Sequence, residues 1–278
     1  LSLNTPAGLV SADTGLKFVF SLDSGTLPAY KRLIGEWKYQ SLICVWTETA
    51  MPERLLVFLG DVEDSRGIER RDEFQRVLEE TCIRLNETHS GALRSGFAIL
   101  KGIDEIGAVL LSVSPVYRMV DEIGRALHPQ RMRFAVAMGV VDTGLESPDV
   151  GKMDGPAFHR AAAIMAELKK NKLPFGMEVE DPLLDEALAG VASLIQMAKA
   201  RRSERQWEAV AAYERLGTQA QAASELEVTQ QAISHALVSA DYKQVKLVED
   251  RLNRAFEEYA ARLNARKQRP AGREGRDA

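Results

Sequence analysis

The sequence predicts an α/β (α+β) fold: a palm of mixed strands and helices, then a small all-α module and a long terminal helix. Three observations carry this reading. Leu55-Leu56-Val57-Phe58-Leu59 is an unbroken apolar run that stops at Gly60-Asp61 and passes into a charged stretch with helical spacing. Such a run reads as a strand buried on both faces that feeds a helix. Further on, apolar segments at 96–101 and 106–113 flank the short connection Gly102-Ile103-Asp104-Glu105, a hairpin signal. Beyond Arg201-Arg202-Ser203 the apolar period shortens into brief helical segments, each opened by a capping residue.

Residues 1–50 read as an accessory or non-native extension. They carry Gly, Ser, Thr and Pro with Trp37 and Trp46, and Met51 stands just before the first clear strand. Either Met51 is the natural start, or Lys17–Leu22 and Ser41–Val45 add edge strands. The palm, 51–200, follows. After strand 54–60 comes a helix over 68–86, where Phe74, Leu78, Cys82 and Leu85 share one face. The hairpin leads to a helix over 115–127 with Val116, Met119, Val120, Ile123 and Leu127 inward. A long strand over 131–141, an alanine-rich helix from Met153-Asp154-Gly155-Pro156 to about 170, a short strand over 175–180 and a helix over 182–200 complete it. The order β-α-β-β-α-β is a split βαβ, hence a ferredoxin-like palm covered by helices mainly on one face. In that topology the end of the first strand lies beside the hairpin turn, so Asp61 and Asp104 are expected to be neighbours.

Composition narrows the function classes. The chain has 278 residues, a formal net charge of −4 and a pI near 5.7, which argues against coating nucleic acid or an anionic membrane by bulk charge. Cys44 and Cys82 are isolated, so neither a disulfide framework nor a zinc site is indicated. No apolar run approaches the roughly 20 residues of a membrane span, and no leader with a cleavage site is visible at the amino end. The expectation is a soluble, cytoplasmic protein with no membrane partner.

Two carboxylates brought together at a sheet edge repel unless they share a cation or a proton, which suits Mg²⁺ or Mn²⁺. Such ions keep several waters and take up phosphate oxygens, pointing to a nucleotide or polyphosphate. A plainer reading stays open: each aspartate only caps a helix or makes a turn.

Gly60-Asp61-Val62 with Ser65-Arg66, then Gly102-Ile103-Asp104-Glu105, then Met153-Asp154-Gly155-Pro156-Ala157-Phe158-His159-Arg160-Ala161, with a helix-turn-helix at the end, resembles the SatD family of bacterial proteins over residues 54–240. That family looks distantly like class III nucleotidyl cyclases and GGDEF-type palms. The resemblance implies a metal set of Asp61, the Val62 carbonyl and Asp104, with Glu105 beside it. The candidate ligand- or anion-binding residues are Ser65, Arg66, Asp154, Gly155, His159 and Arg160. The hairpin departs from the family pattern, with Ile103 inserted before Asp104 and Ile106 in place of an aromatic. Where cyclases carry an Asn and, four residues on, an Arg, this chain has His159 and Ala163. Loss of that cation removes a group that stabilises developing phosphate charge, so cyclase activity is not expected. Arg160 is instead expected to clamp an anion near the helix start, where Asp154 and the amides of Gly155 and Ala157 gather.

The module over 201–240 reads as a helix-turn-helix. Ser203 with Gln206 forms a capping-box pattern, Gly217 ends the first helix, Thr218 caps a second over Gln219–Leu226 and Thr229 caps a third over Gln230–Ser239. Ala223, Val228, Ile233 and Leu237 are the expected core, and Glu227 occupies the usual turn glycine position. In a major groove the third helix would offer Thr229, Gln230, Gln231, Ser234 and His235, with the glutamines suited to adenine. Over 203–240 five Glu (204, 208, 214, 225, 227) stand against Arg205 and Arg215, so phosphate contacts must come from the basic stretch beyond or from dimerisation. An amphipathic helix over 241–265, with Val245, Val248, Leu252, Phe256, Tyr259 and Leu263 in one stripe, either pairs with its twin in a homodimer or packs back on the chain. A basic tail over 266–278 is expected to be disordered.

The reading that results is a DNA-binding transcriptional regulator whose palm senses a metal–nucleotide ligand or is a structural relative of such a palm. The alternatives are a metal-dependent nucleotidyl- or phosphoryl-transfer enzyme using Asp61 and Asp104, and a non-catalytic scaffold.

Overall fold

The computed structural model describes residues 9–11, 17–22, 42–44, 54–102 and 104–267. The chain divides into two compact units, Leu1–Pro52 and Glu53–Ala278. In the first, β1 (Leu9–Ser11), β2 (Lys17–Leu22) and β3 (Leu42–Cys44) form an antiparallel sheet in the order β1-β2-β3. The strands expected at 17–22 and 41–45 are thus present, and they pair with one another. Trp37, Trp46 and Met51 lie outside the described residues.

The second unit is built on β4 (Arg54–Val62), β5 (Leu93–Lys101), β6 (Glu105–Leu110), β7 (Met132–Val140) and β8 (Phe175–Glu178), ordered β5-β6-β4-β7-β8. Neighbours among the first four strands are antiparallel, the ferredoxin-like arrangement, and β8 adds in parallel to β7. Alternation along β4 sorts the apolar run onto two faces, as the strand period of two requires. Leu56, Phe58 and Val62 join one core with α1 (Arg71–Thr88), α2 (Val116–Leu127), α4 (Pro182–Ala200) and α8 (Tyr242–Lys267). Leu55, Val57 and Leu59 join a second core under α3 (Pro156–Asn171). Four helices cover one face and a single helix covers the other.

The helical periodicity is carried through into packing. Phe74, Leu78, Cys82 and Leu85 all turn inward, as do the five predicted residues of α2 together with Tyr117. Each such large side chain contributes roughly 1.5–3 kcal/mol by leaving water. Burial, and then the charge of Glu79, push the Cys82 thiol up to about 11, so this cysteine is an inert core residue. On the other face α3 sits close to the sheet, because a Cβ at Gly139 would stand 3.2 Å from the backbone of Ala157.

The expected boundaries shift at several ends. The strand expected over 106–113 stops at Leu110, and one further bond, from the Leu111 amide to the Ala92 carbonyl, continues its pairing with the chain leading into β5. Arg266 and Lys267, expected in a disordered tail, belong to α8. The amphipathic stripe of α8 packs back on the palm: Leu252, Phe256, Tyr259 and Leu263 are buried in the larger core, while Val248 stays 38% exposed.

The helix-turn-helix follows its caps. α5 (Glu204–Leu216) opens on a complete Ser203–Gln206 capping box and ends at Gly217 with φ 80°. α6 (Gln219–Glu225) and α7 (Gln230–Ser239) open on Thr218 and Thr229, each accepting from the amide three residues on. Ala209, Val210, Ala223, Ile233 and Leu237 form its core. Val228, expected in that core, is 46% exposed, because the turn before it points its side chain outward. Glu227 holds that turn at φ 54°, in the left-handed region that costs a side-chain-bearing residue about 1 kcal/mol. Glu227→Gly is therefore expected to raise unfolding free energy by roughly 0.5–1 kcal/mol, read in urea melts. An unchanged midpoint would show that the turn is unstrained.

Candidate functional site: the cleft at the end of β4

Gly60 and Asp61 close β4, and their neighbours explain the choice of residues. A Cβ at Gly60 would approach Ile106 Cγ1 to 2.9 Å and Met132 Cε to 3.0 Å, so the glycine lets β6 and β7 close over the strand end. Asp61 lies directly opposite both Glu105 and Arg133 in register, so all three occupy the α3 face of the sheet. The Val62 amide donates to the Asp104 carbonyl at 2.8 Å, which ties the hairpin tip to the strand end. The chain then turns through Asp64 at φ 51° into a short 3₁₀ turn, Ser65–Gly67. From there the Ser65 hydroxyl donates to Asp104 Oδ2 at 3.1 Å.

These elements enclose a cleft of ≈ 440 Å³ whose lining includes Asp61, Val62, Ser65, Arg66, Asp104, Arg133 and Lys169. The two aspartates singled out in the sequence thus share one cleft with Val62, Ser65 and Arg66. Glu105 sits across from Asp61 without lining it. Ile103 lies outside the described residues.

Two cations absent from the expected set, Lys169 and Arg133, face Asp61. Lys169 Nζ donates to Asp61 Oδ1 at 2.7 Å, and Arg133 stands 4.0 Å from Asp61 Oδ2 and 3.2 Å from Glu63 Oε1. The Arg133 Nε is buried and has no partner. Arg133 had a signal, since it is a charged residue in an otherwise apolar strand and its register position follows from the palm topology. Lys169 had none, because only the return of α3 across the sheet brings its last turn to the end of β4.

The cleft carries charges of both signs, with Asp61, Asp64 and Asp104 against Arg66, Arg133 and Lys169. Among the described residues, no three His, Cys, Asp or Glu side chains are grouped as a metal cage. A divalent ion would therefore draw on Asp61 and Asp104 and complete its shell with waters and ligand phosphate oxygens, which is how Mg²⁺ is commonly held. Lys169 stands where such an ion would approach Asp61.

The second expected anion set is elsewhere. α3 runs back along the sheet, so its start, with Asp154, Gly155 and His159, is at the opposite end from Asp61. There the Asp154 carboxylate accepts from the Gly155 amide at 2.7 Å and lies 3.7 Å from His159, so the helix start already has its own anion. Arg160 does not join it: its Nη1 donates to the Met138 carbonyl at 3.0 Å and lies 3.8 Å from Glu178. In the helix-turn-helix, Thr229, Gln230, Gln231 and His235 are exposed and Ser234 is half-buried.

A buried ionic network joins this module to the palm. The Lys199 ammonium of α4 bridges Asp121 of α2 and Glu249 of α8, and Glu249 also accepts from the Tyr117 hydroxyl at 2.9 Å. Arg125 of α2 bonds Asp121 at 2.7 Å and grips Glu214 of α5 through both terminal nitrogens. Burial, then the Glu249 and Asp121 charges, push the Tyr117 phenol up, so it stays protonated as the donor.

Among the described residues no helix is long and apolar enough to cross a membrane. A comparison with curated proteins gives no match. Two of the solved structures that match are both described as a bacterial light-regulated adenylyl cyclase. One is 14% identical with a TM-score of 0.29, covering 45% of this chain and 74% of that one. The other is 17% identical with a TM-score of 0.31, covering 46% and 44%. The model of the SatD family matches residues 55–246, from the first palm strand through the helix-turn-helix into α8, and the chain belongs to the SatD family.

Proposed function

We propose that this chain is a DNA-binding regulator that reads a major groove with α7 and holds a metal-bound nucleotide or polyphosphate in the palm cleft. The observation that carries the reading is the build of α6 and α7. Their inner residues are committed to a shared core, while Gln230, Gln231 and His235 are exposed on the outer side beside Thr229, whose hydroxyl caps the helix. That division of labour is what groove insertion needs. Phosphate contacts would come from Lys243 and Lys246, exposed in the first turns of α8, although Lys246 already lies 3.4 Å from Asp250. The ionic network ties α2, α4 and α8, on the palm face opposite α3, to Glu214 of α5. It transmits a signal only if the ligand favours one arrangement of these helices.

The reading is tested by fluorescence anisotropy on a DNA site selected by the full chain. Gln231→Ala is expected to lose about 1–3 kcal/mol on that site and little on unrelated duplexes, with an unchanged melt. An equal loss on every sequence would contradict base reading by α7. The joint lining of one cleft by Asp61, Asp104, Arg133 and Lys169 favours, as a second reading, metal-dependent phosphoryl or nucleotidyl transfer. Asp61→Asn separates the two: it abolishes triphosphate turnover in an enzyme and spares DNA binding in a regulator.

A further inference from the structure

Helix α4 departs from the rule that a surface helix turns polar residues outward. Its outward positions are Leu183 (79% exposed), Ala187, Gly190, Val191 (36%), Leu194 (68%) and Met197 (38%). At 3.6 residues per turn they form one apolar stripe along the helix. An exposed apolar stripe of this extent marks an interaction site. Leu194 and Met197 also border a groove of ≈ 800 Å³ between α4 and α3, to which Ile164 and Leu173 contribute.

The charges at the ends of the stripe select its occupant. Glu186 lies near one end and Arg201, the C-cap residue, at the other, and both are exposed. At 1.5 Å per residue they are about 22 Å apart along the axis, with Leu194 midway. A second α4 crossing antiparallel at Leu194 sets each Glu186 against the other copy's Arg201. The pattern is self-complementary about a two-fold axis, as an isologous interface requires.

We infer that a second copy of this chain covers the face, with the two α4 helices antiparallel about a two-fold at Leu194. Ala187 and Gly190 let the helices approach closely, and the adjoining groove receives side chains of the other copy. This inference does not depend on α7 binding DNA.

The test is sedimentation velocity on the full chain from about 1 to about 100 µM, a range that brackets a micromolar dimer. The expected result is a dimer whose dissociation constant rises at least tenfold in Leu194→Glu, with an unchanged circular dichroism spectrum. Glu186→Arg and Arg201→Glu are each expected to weaken the dimer, and the double charge reversal to restore it. These exposed charges can be reversed without touching the core, so the reversal stands even if Leu194→Glu misfolds. A monomer throughout the range would overturn the inference. A dimer indifferent to all these changes would overturn it as well.

Discussion

Lys199→Ala is expected to lower the unfolding free energy by about 3–5 kcal/mol, because it takes the ammonium from the buried Glu249 carboxylate and leaves the partly buried Asp121 with Arg125 alone. Lys199 is 4% exposed and Glu249 3%, so water does not replace the missing ammonium. Urea unfolding at neutral pH reads the loss, and a change under about 1 kcal/mol would show that Asp121 and Glu249 relax to solvent without penalty. The same network sets a pH dependence. Burial alone would raise the Asp121 carboxyl, but the Lys199 ammonium and the Arg125 guanidinium outweigh it and hold it below the usual carboxylate range. A carboxylate depressed in the folded state contributes stability above its unfolded value, about 4, and loses it as the pH falls through the folded value. Asp185 works in the opposite sense, since burial pushes its carboxyl up. The difference between the native chain and Asp121→Asn therefore isolates the network, and the variant is expected to lose less stability between pH 7 and pH 3.

Arg133→Ala is expected to weaken binding of an Mn²⁺–nucleoside triphosphate by roughly 10- to 100-fold. Arg133 lines the cleft, and a hydrogen bond from its guanidinium to a charged phosphate oxygen contributes about 1.5–3 kcal/mol. Lys169→Ala makes a sharper contrast, because its two effects differ in sign. Without the ammonium 2.7 Å from Asp61, Mn²⁺ alone should bind severalfold more tightly. The triphosphate complex, which loses a cation, should bind more weakly. Titration calorimetry with Mn²⁺ alone and with Mn²⁺–ATP reads both. Equal weakening of the two by Lys169→Ala would show that the lysine supports the cleft's shape and does not compete for Asp61.

Much of the fold was legible because the decisive signals are local. The run ending at Gly60-Asp61 fixes β4, the Gly102-Ile103-Asp104 connection fixes the hairpin, and Ser203, Thr218 and Thr229 fix the helix starts. From these the palm topology follows, and with it the meeting of Asp61 and Asp104 in one cleft. What escaped depends on long-range geometry. Lys169 reaches Asp61 only through the length and direction of α3, and Arg160 is taken by the Met138 carbonyl that α3 happens to cross. Val228 fits an apolar pattern, yet the positive φ of Glu227 turns it out. The stripe of α8 left two partners open, and the choice of the palm rests on Tyr259, whose hydroxyl meets Asp185 at 3.0 Å, and on the Glu249–Lys199 pair, neither of which periodicity reveals.

The most direct test of the central claim is selection of random duplex DNA by the full chain at moderate salt, with and without Mn²⁺ and mixed nucleoside triphosphates. The expected result is enrichment of one short motif that vanishes in Gln231→Ala and whose strength changes with the nucleotide. Recovery of no motif under any condition would contradict it.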